Sequence, residues 1–260
     1  MTLPAGWGRM VDVSNDDHET LTGLHEMVLS RLGPALVSGE LAVGTVLKID
    51  EIALQHGVSR TVARDVVKVL ESLELVVTRR RIGVTVRPRS EWNVFDPRLI
   101  RWRLAGSDRA RQLRSLSELR HGVEPIAAAL AAAHADPEQC GRLTAAVIGM
   151  SVTGRRGDLE AYLGFDKEFH CALLEASGND MFAALASVVG EVLTGRTHHD
   201  MMPAQPEPAA IRLHADVASA VASRDAIGAE LAMRAIVDEA QEAMELAFGP
   251  ATIPVESSVE

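Results

Sequence analysis

The strongest constraint on the fold lies in residues 47 to 86, LKIDEIALQHGVSRTVARDVVKVLESLELVVTRRRIGVTV. A short apolar helix runs from about Ile49 to Gln55, and His56-Gly57-Val58 makes a turn in which Gly57 can take a positive φ. Ser59 suits the N-cap of a second helix, because its hydroxyl can accept an orphan backbone N–H. That helix carries Val62, Val66, Val69, Leu70 and Leu73 at three- and four-residue spacing, the signature of one buried face. Leu75-Val76-Val77-Thr78 and Gly83-Val84-Thr85-Val86 follow as β-branched runs joined through Arg79-Arg80-Arg81-Ile82. The pattern reads helix, turn, helix, two-stranded wing.

Charge shows what the wing and second helix meet. From 59 to 89 there are eight Lys and Arg against three Asp and Glu, a local +5 in a chain of net charge −10. Ser59, Arg60, Thr61 and Arg64 face outward at the start of the second helix, where side chains reach base edges and phosphates in the major groove. Arginine suits both tasks, since its planar fork pairs with guanine or straddles a phosphate. A charge run is usually a solvated surface. Here the arginines cluster at the two places where a winged helix touches DNA. Residues 90 to 260 hold 15 basic and 25 acidic residues, a balance that repels nucleic acid and speaks for a separate sensor or enzyme domain.

These residues carry a resemblance. Gly57-Val58-Ser59-Arg60-Thr61, then Arg64, a leucine-bearing helix, and Arg81-Ile82-Gly83-Val84-Thr85-Val86 resemble the winged helix-turn-helix of the GntR family of bacterial transcription regulators. The resemblance implies DNA contacts from Ser59, Arg60, Thr61, Arg64, Arg79, Arg80, Arg81 and Gly83. Asp50 departs from the pattern, standing where many relatives carry a neutral or basic residue.

With 260 residues and aromatics at only 3%, packed helices are favoured over sheet. The fold expected is mainly α. Residues 1–16 are expected to form a tail, 17–89 the winged helix-turn-helix, 90–107 a linker with a short helix, 108–249 an all-helical bundle and 250–260 a second tail. A helix from Asp17 to Val37 supplies Leu21, Leu24, Val28 and Leu32 to the first core. Trp92, Phe95 and Trp102 are expected to anchor one domain on the other. The bundle reads as helices over 108–134, 137–152, 158–177, 180–200, 208–223 and 225–248, punctuated by Asp136-Pro137, Gly178, Pro203 and Pro206. No apolar run is long enough to span a membrane, and the N-terminus lacks a signal peptide's apolar core. Cys140 and Cys171 lack metal or redox spacing and read as reduced thiols of a cytoplasmic protein.

The second half carries Phe165-Asp166-Lys167-Glu168-Phe169-His170, then Ser177-Gly178-Asn179, then His214 opening a helical run. Asp166 and His170 lie one turn apart on a helix face and can share a metal. Either histidine alone would read as a core residue with satisfied hydrogen bonds. With Glu118, Leu119, Arg120 and Glu124, these features are similar to the FCD-type ligand-binding domain found in FadR-like GntR members. That resemblance implies a divalent metal, zinc or similar, held by Asp166, His170 and His214, with an anionic effector beside it. Isoleucine at 236 replaces the histidine expected as fourth ligand. Arg120 is the first candidate for the effector's carboxylate, its alternative being a salt bridge to Glu124, and Arg196 is the second. His198-His199-Asp200 reads as exposed polar surface, and Cys171, Met150 and Met233 as packing.

The whole reads as a homodimeric, cytoplasmic, nucleoid-associated bacterial repressor on a palindromic operator, with no membrane partner and released by a small carboxylate. The segment from Glu91 to Trp102 is similar to that of regulators answering to sugar acids such as galactonate or gluconate. A hydroxy acid, an amino acid or a fatty acyl thioester is the alternative effector. A metal-dependent hydrolase and an architectural DNA-binding protein are the rival classes. Against the first, the chain has no HExxH, no GxSxG and no phosphate-cradling glycine loop.

Overall fold

The computed structural model describes residues 15–198 and 207–249. Most of the expected first tail, all of the second, and His199, Asp200, Pro203 and Pro206 lie outside the described residues, as does the side chain of Leu21. The chain divides into two compact units, at Val94 and Phe95.

The first unit opens with α1 (Asn15–Ser38), followed by β1 (Val46–Leu47), α2 (Ile49–His56), α3 (Arg60–Ser72), β2 (Val76–Arg79) and β3 (Gly83–Val86). Helix α1 buries Val28, Leu29, Leu32, Leu36 and Val37, with Leu24 half-buried. Helix α3, which buries Val62, Ala63, Val66, Val67 and Leu70, packs on α1 and on α2, where Ile52 and Ala53 are buried. Val69, expected in that face, is only half-buried, and Val67 takes its place. Helix α2 ends where Gly57 enters the left-handed region at φ 66°, which costs glycine nothing and other residues about 1–2 kcal/mol. Ser59 caps α3 by accepting a hydrogen bond from the Val62 amide at 3.2 Å.

The wing is a three-stranded antiparallel sheet in the order β1-β3-β2, not the two strands expected. Strand β1 pairs Val46 with Thr85 and Leu47 with Val84. Strands β2 and β3 pair from Val76 with Val86 to Arg79 with Gly83, so Arg80, Arg81 and Ile82 form the exposed tip. Trp92 is buried within this unit and its indole donates to the Arg87 carbonyl at 3.2 Å. Phe95 is half exposed, at 53%.

The second unit is entirely helical among the described residues: α4 (Pro97–Ala105), α5 (Arg109–His134), α6 (Pro137–Arg156), α7 (Leu159–Ala176), α8 (Asp180–Ala183), α9 (Ala186–His198), α10 (Pro208–Ala222) and α11 (Ala226–Phe248). Residues 97–105 form the short helix expected in this segment. Asp96 caps α4, and Leu99, Ile100 and Leu104 are buried, Ile100 and Leu104 in a cluster with Leu113, Leu116 and Val188. Asp136 and Gln139 form a reciprocal capping box at the start of α6, with Pro137 at the first helical position, an arrangement that satisfies two orphan amides. The single helix expected over 180–200 is two, α8 and α9, because the chain turns at Ala184-Leu185 and sends Leu185 into the cluster around Ile100. Around Phe169, Leu173 and Met233, α5, α6, α7, α10 and α11 close the main core.

Candidate functional site

On the first unit, Ser59, Arg60, Thr61, Arg64, Arg79, Arg80 and Arg81 are all exposed. Ser59 to Arg64 sit on the first turns of α3, and Arg79 to Arg81 on the wing. Arg81 takes a positive φ of 67° at the tip. Gly83 plays another part. Its φ is 121°, and a Cβ there would lie 2.8 Å from the Leu47 carbonyl oxygen, so a side chain would push β1 off β3. Arg60 is not open along its whole length: its Nε meets Asp50 Oδ1 at 2.6 Å. Among the described residues no acid is paired with Arg64.

On the second unit, three helices bring five side chains into one buried polar cluster. The four-residue spacing that puts side chains on one helix face brings Arg120 and Glu124 in from α5 and Asp166 and His170 from α7. His214 comes from α10. All five are at most 8% exposed. Arg120 donates to Glu124 through Nε at 2.7 Å and Nη2 at 3.2 Å. The Oε2 that accepts from Nη2 also lies 2.7 Å from His170 Nδ1. A ring nitrogen that close to a buried carboxylate must carry a proton. His214 Nδ1 donates to the Ala210 carbonyl at 2.7 Å. Each ring therefore turns Nε2 inward.

Those inward atoms meet. The two Nε2 atoms lie 3.4 Å apart. Asp166 Oδ1 lies 3.2 Å from that of His214 and 3.6 Å from that of His170. Three acceptors so close repel unless a proton or a cation lies among them. The donor set, two imidazoles and a carboxylate within reach of one another, fits a divalent transition metal. Burial alone would raise the Asp166 pKa, but His214, His170 and Arg120 hold it down at about 2. Glu124 is likewise fully buried, and Arg120 and His170 hold it far below the usual carboxylate range. Both groups are anions at any ordinary pH.

The cluster forms one wall of a cavity of about 200 Å³, which Tyr162, Arg196, Ile236 and Glu239 also line. Ile236 thus stands beside the cluster, in the position where a fourth histidine was expected. Arg120 lines the cavity too, but its two-point contact goes to Glu124, the alternative raised above. Arg196 is different. Its Nε is buried with no hydrogen-bond partner among the described residues. Burial and then the Arg120 charge lower its pKa to about 10, against the pull of Asp166 and Glu239.

Tyr162, Glu239 and the double role of Glu124 were missed from the sequence. Tyr162 could have been found, since it lies one turn before Asp166 and two before His170. His198, expected at the surface, is exposed and meets Glu160 at 2.9 Å. Ser177 and Gly178 serve the fold: the Ser177 carbonyl lies 2.8 Å from His134 Nδ1, and that ring packs against Gly178.

The pattern described as "Bacterial regulatory proteins, gntR family" matches residues 24–86, and the FCD domain pattern matches residues 115–239. An Escherichia coli (strain K12) protein described as the uncharacterized HTH-type transcriptional regulator YieP is 30% identical over 170 residues, spanning 65% of this chain and 74% of that protein. The galactonate operon transcriptional repressor of the same organism is 27% identical over 168 residues, spanning 64% and 72%. Among solved structures, Escherichia coli McbR/YncC shares the fold with a TM-score of 0.52 at 18% identity, covering 86% of this chain and 98% of that one. With the winged helix and the helical effector unit both in place, the chain belongs to the GntR family of bacterial transcription regulators: it is a DNA-binding regulator with an FCD effector-binding domain, and not an enzyme.

Proposed function

We propose that the protein is a homodimeric, cytoplasmic repressor that leaves a palindromic operator when a small carboxylate, a sugar acid of the galactonate or gluconate type, enters the cavity of the second unit. Each first unit takes one half-site. Arg60 and Arg64 read bases or phosphates, Ser59 and Thr61 meet the backbone, and the wing from Arg79 to Gly83 follows the adjacent minor groove or its phosphates. One observation carries the effector reading. A cavity lined by Arg120, Arg196 and three acids holds in Arg196 an Nε with no hydrogen-bond partner among the described residues, beside an Asp-His-His set fit for a metal. Its volume of about 200 Å³ suits a ligand below drug size, and this favours a sugar acid over a fatty acyl thioester. The relationship to the galactonate operon repressor supports the same class.

Asp166, His170 and His214 would hold the metal, which supplies a Lewis-acidic anchor for one carboxylate oxygen. Arg196 takes the other oxygen, Tyr162 and Glu239 stand ready for hydroxyls, and Arg120 keeps Glu124 ionised behind His170. Binding changes operator affinity only as far as the effector prefers one of the two states of the regulator. The test is thermal melting against a panel of sugar acids and other small carboxylates, with and without chelator, because a ligand of the folded state alone raises the melting temperature. A sugar-acid shift abolished by chelator supports the metal and the class together. A shift that survives chelation points to a metal-free pocket walled by Ile236. The absence of a shift with every sugar acid rules that class out.

A further inference from the structure

The acid held against the recognition helix is the feature that the regulator reading leaves unexplained. Asp50 stands in the first turn of α2 and Arg60 is the first residue of α3, so the turn at Gly57 brings them side by side. Asp50 Oδ1 meets Arg60 Nε at 2.6 Å, with the two side chains 62% and 69% exposed. An ion pair this exposed adds little to stability. It does put a carboxylate on the surface that faces polyanionic DNA, where any phosphate repels it. Arg64, one turn further along the same face, carries no such partner, and neither do Arg79, Arg80 and Arg81, among the described residues.

The atom contacted gives the reason. A guanidinium presents two edges, a side edge containing Nε and an end edge of the two terminal nitrogens. Asp50 lies against Nε as an ion pair. The two terminal nitrogens form no hydrogen bond among the described residues, and a bidentate pair from that end edge matches O6 and N7 of guanine in the major groove. Held there, Arg60 cannot swing to the nearest phosphate without abandoning its acid. We infer that Asp50 is a specificity-determining residue: by holding Arg60 at Nε it makes that arginine a reader of one base rather than a phosphate clamp, and its own charge weakens binding to DNA that lacks the base. The inference rests on the placement of α3 in the major groove, which the first step below tests separately.

The experiment uses the full-length protein and duplexes that the wild type selects from a random-sequence pool, compared with a scrambled duplex of equal composition over a range of salt. Arg64→Ala comes first. If it leaves affinity for both duplexes unchanged, the groove placement fails and the proposal with it. If it weakens both, Asp50→Ala is decisive. Expected is tighter binding to the scrambled duplex, a salt slope steeper by about 0.9 as Arg60 turns to a phosphate, and an operator preference narrowed about tenfold to a hundredfold. Reselection with Asp50→Ala should relax one base pair in each half-site, a change that a merely structural role would not produce. In an Arg60→Ala background the same substitution should no longer alter base preference. An unchanged preference ratio and unchanged selected bases, or relaxation that persists without Arg60, overturns the proposal while leaving the groove placement standing.

Discussion

Glu124 is the residue on which the buried cluster depends, and Glu124→Gln tests that dependence. The carboxylate is fully buried and meets three nitrogens: Arg120 Nε and Nη2 at 2.7 and 3.2 Å, and His170 Nδ1 at 2.7 Å. Glutamine offers one acceptor oxygen where the carboxylate offers two, so at least one of these nitrogens must face an amide that also donates. Arg120, only 2% exposed, would lose the one counterion that is hydrogen-bonded to it among the described residues and keep only the more distant charge of Asp166. Breaking such a pair by removing one partner costs about 3–5 kcal/mol. For a helical unit of this size that is a fall of roughly 6–20 °C in the melting temperature. Calorimetry suits the measurement, because two units can melt separately and only the transition of the second should move. Replacing both partners, Arg120→Met with Glu124→Leu, should recover most of the loss, since a buried ion pair and a well-packed apolar pair are often equivalent. A fall below about 3 °C for Glu124→Gln, less than about 1 kcal/mol, would refute the claim that this carboxylate neutralises Arg120.

Other substitutions address separate parts of the molecule. Arg64→Ala should weaken operator binding and lower the salt slope by about 0.9, one phosphate contact, in a fluorescence anisotropy titration. Gly83→Ala should cost the first unit about 1–3 kcal/mol of strain, because its φ is 121° and the added carbon meets the Leu47 carbonyl; a melt that does not move would argue against the crowding. Ile236→His should offer the metal a fourth ligand and tighten its binding by about tenfold or more, as read by calorimetric titration against the wild type.

The winged helix was legible almost residue by residue because its signals are local. Gly57 marks a backbone turn, Ser59 a cap, and the valines of α3 a face; each acts within four residues of itself. Strand β1 was not legible, since two residues carry no periodicity and their pairing with Val84 and Thr85 is decided across the chain. In the second unit, four-residue spacing identified the Arg120–Glu124 and Asp166–His170 pairs. It could not show that Glu124 reaches His170 from another helix, or that Tyr162 and Glu239 share the cavity. The break between α8 and α9 escaped for a similar reason. Helix propensity runs unbroken through Phe182-Ala183-Ala184-Leu185, and the turn is set by where Leu185 packs.

The two arginines of the cavity make the sharpest distinction between holding the fold and holding a ligand. Arg120 is matched: its side edge is filled by Glu124, and Coulombic attraction outweighs its burial, so its pKa is raised. Arg196 has no hydrogen-bond partner at Nε among the described residues: burial and Arg120 lower its pKa to about 10, and Asp166 and Glu239 compensate only in part. A buried group with an unsatisfied donor costs about 1–3 kcal/mol, a cost that a bound carboxylate removes. Arg196→Gln should therefore leave the unliganded protein as stable as the wild type or more so, while abolishing the ligand's contribution, about 2.7 kcal/mol at a hundredfold excess over Kd. The same measurement on Arg120→Gln should show the opposite, a protein destabilised before any ligand is added, because Glu124 is left buried without its counterion. Melting curves with and without the effector separate the two outcomes. If Arg196→Gln lowers the unliganded melting temperature and retains the full ligand shift, the effector's carboxylate is bound elsewhere and Arg196 is a structural residue.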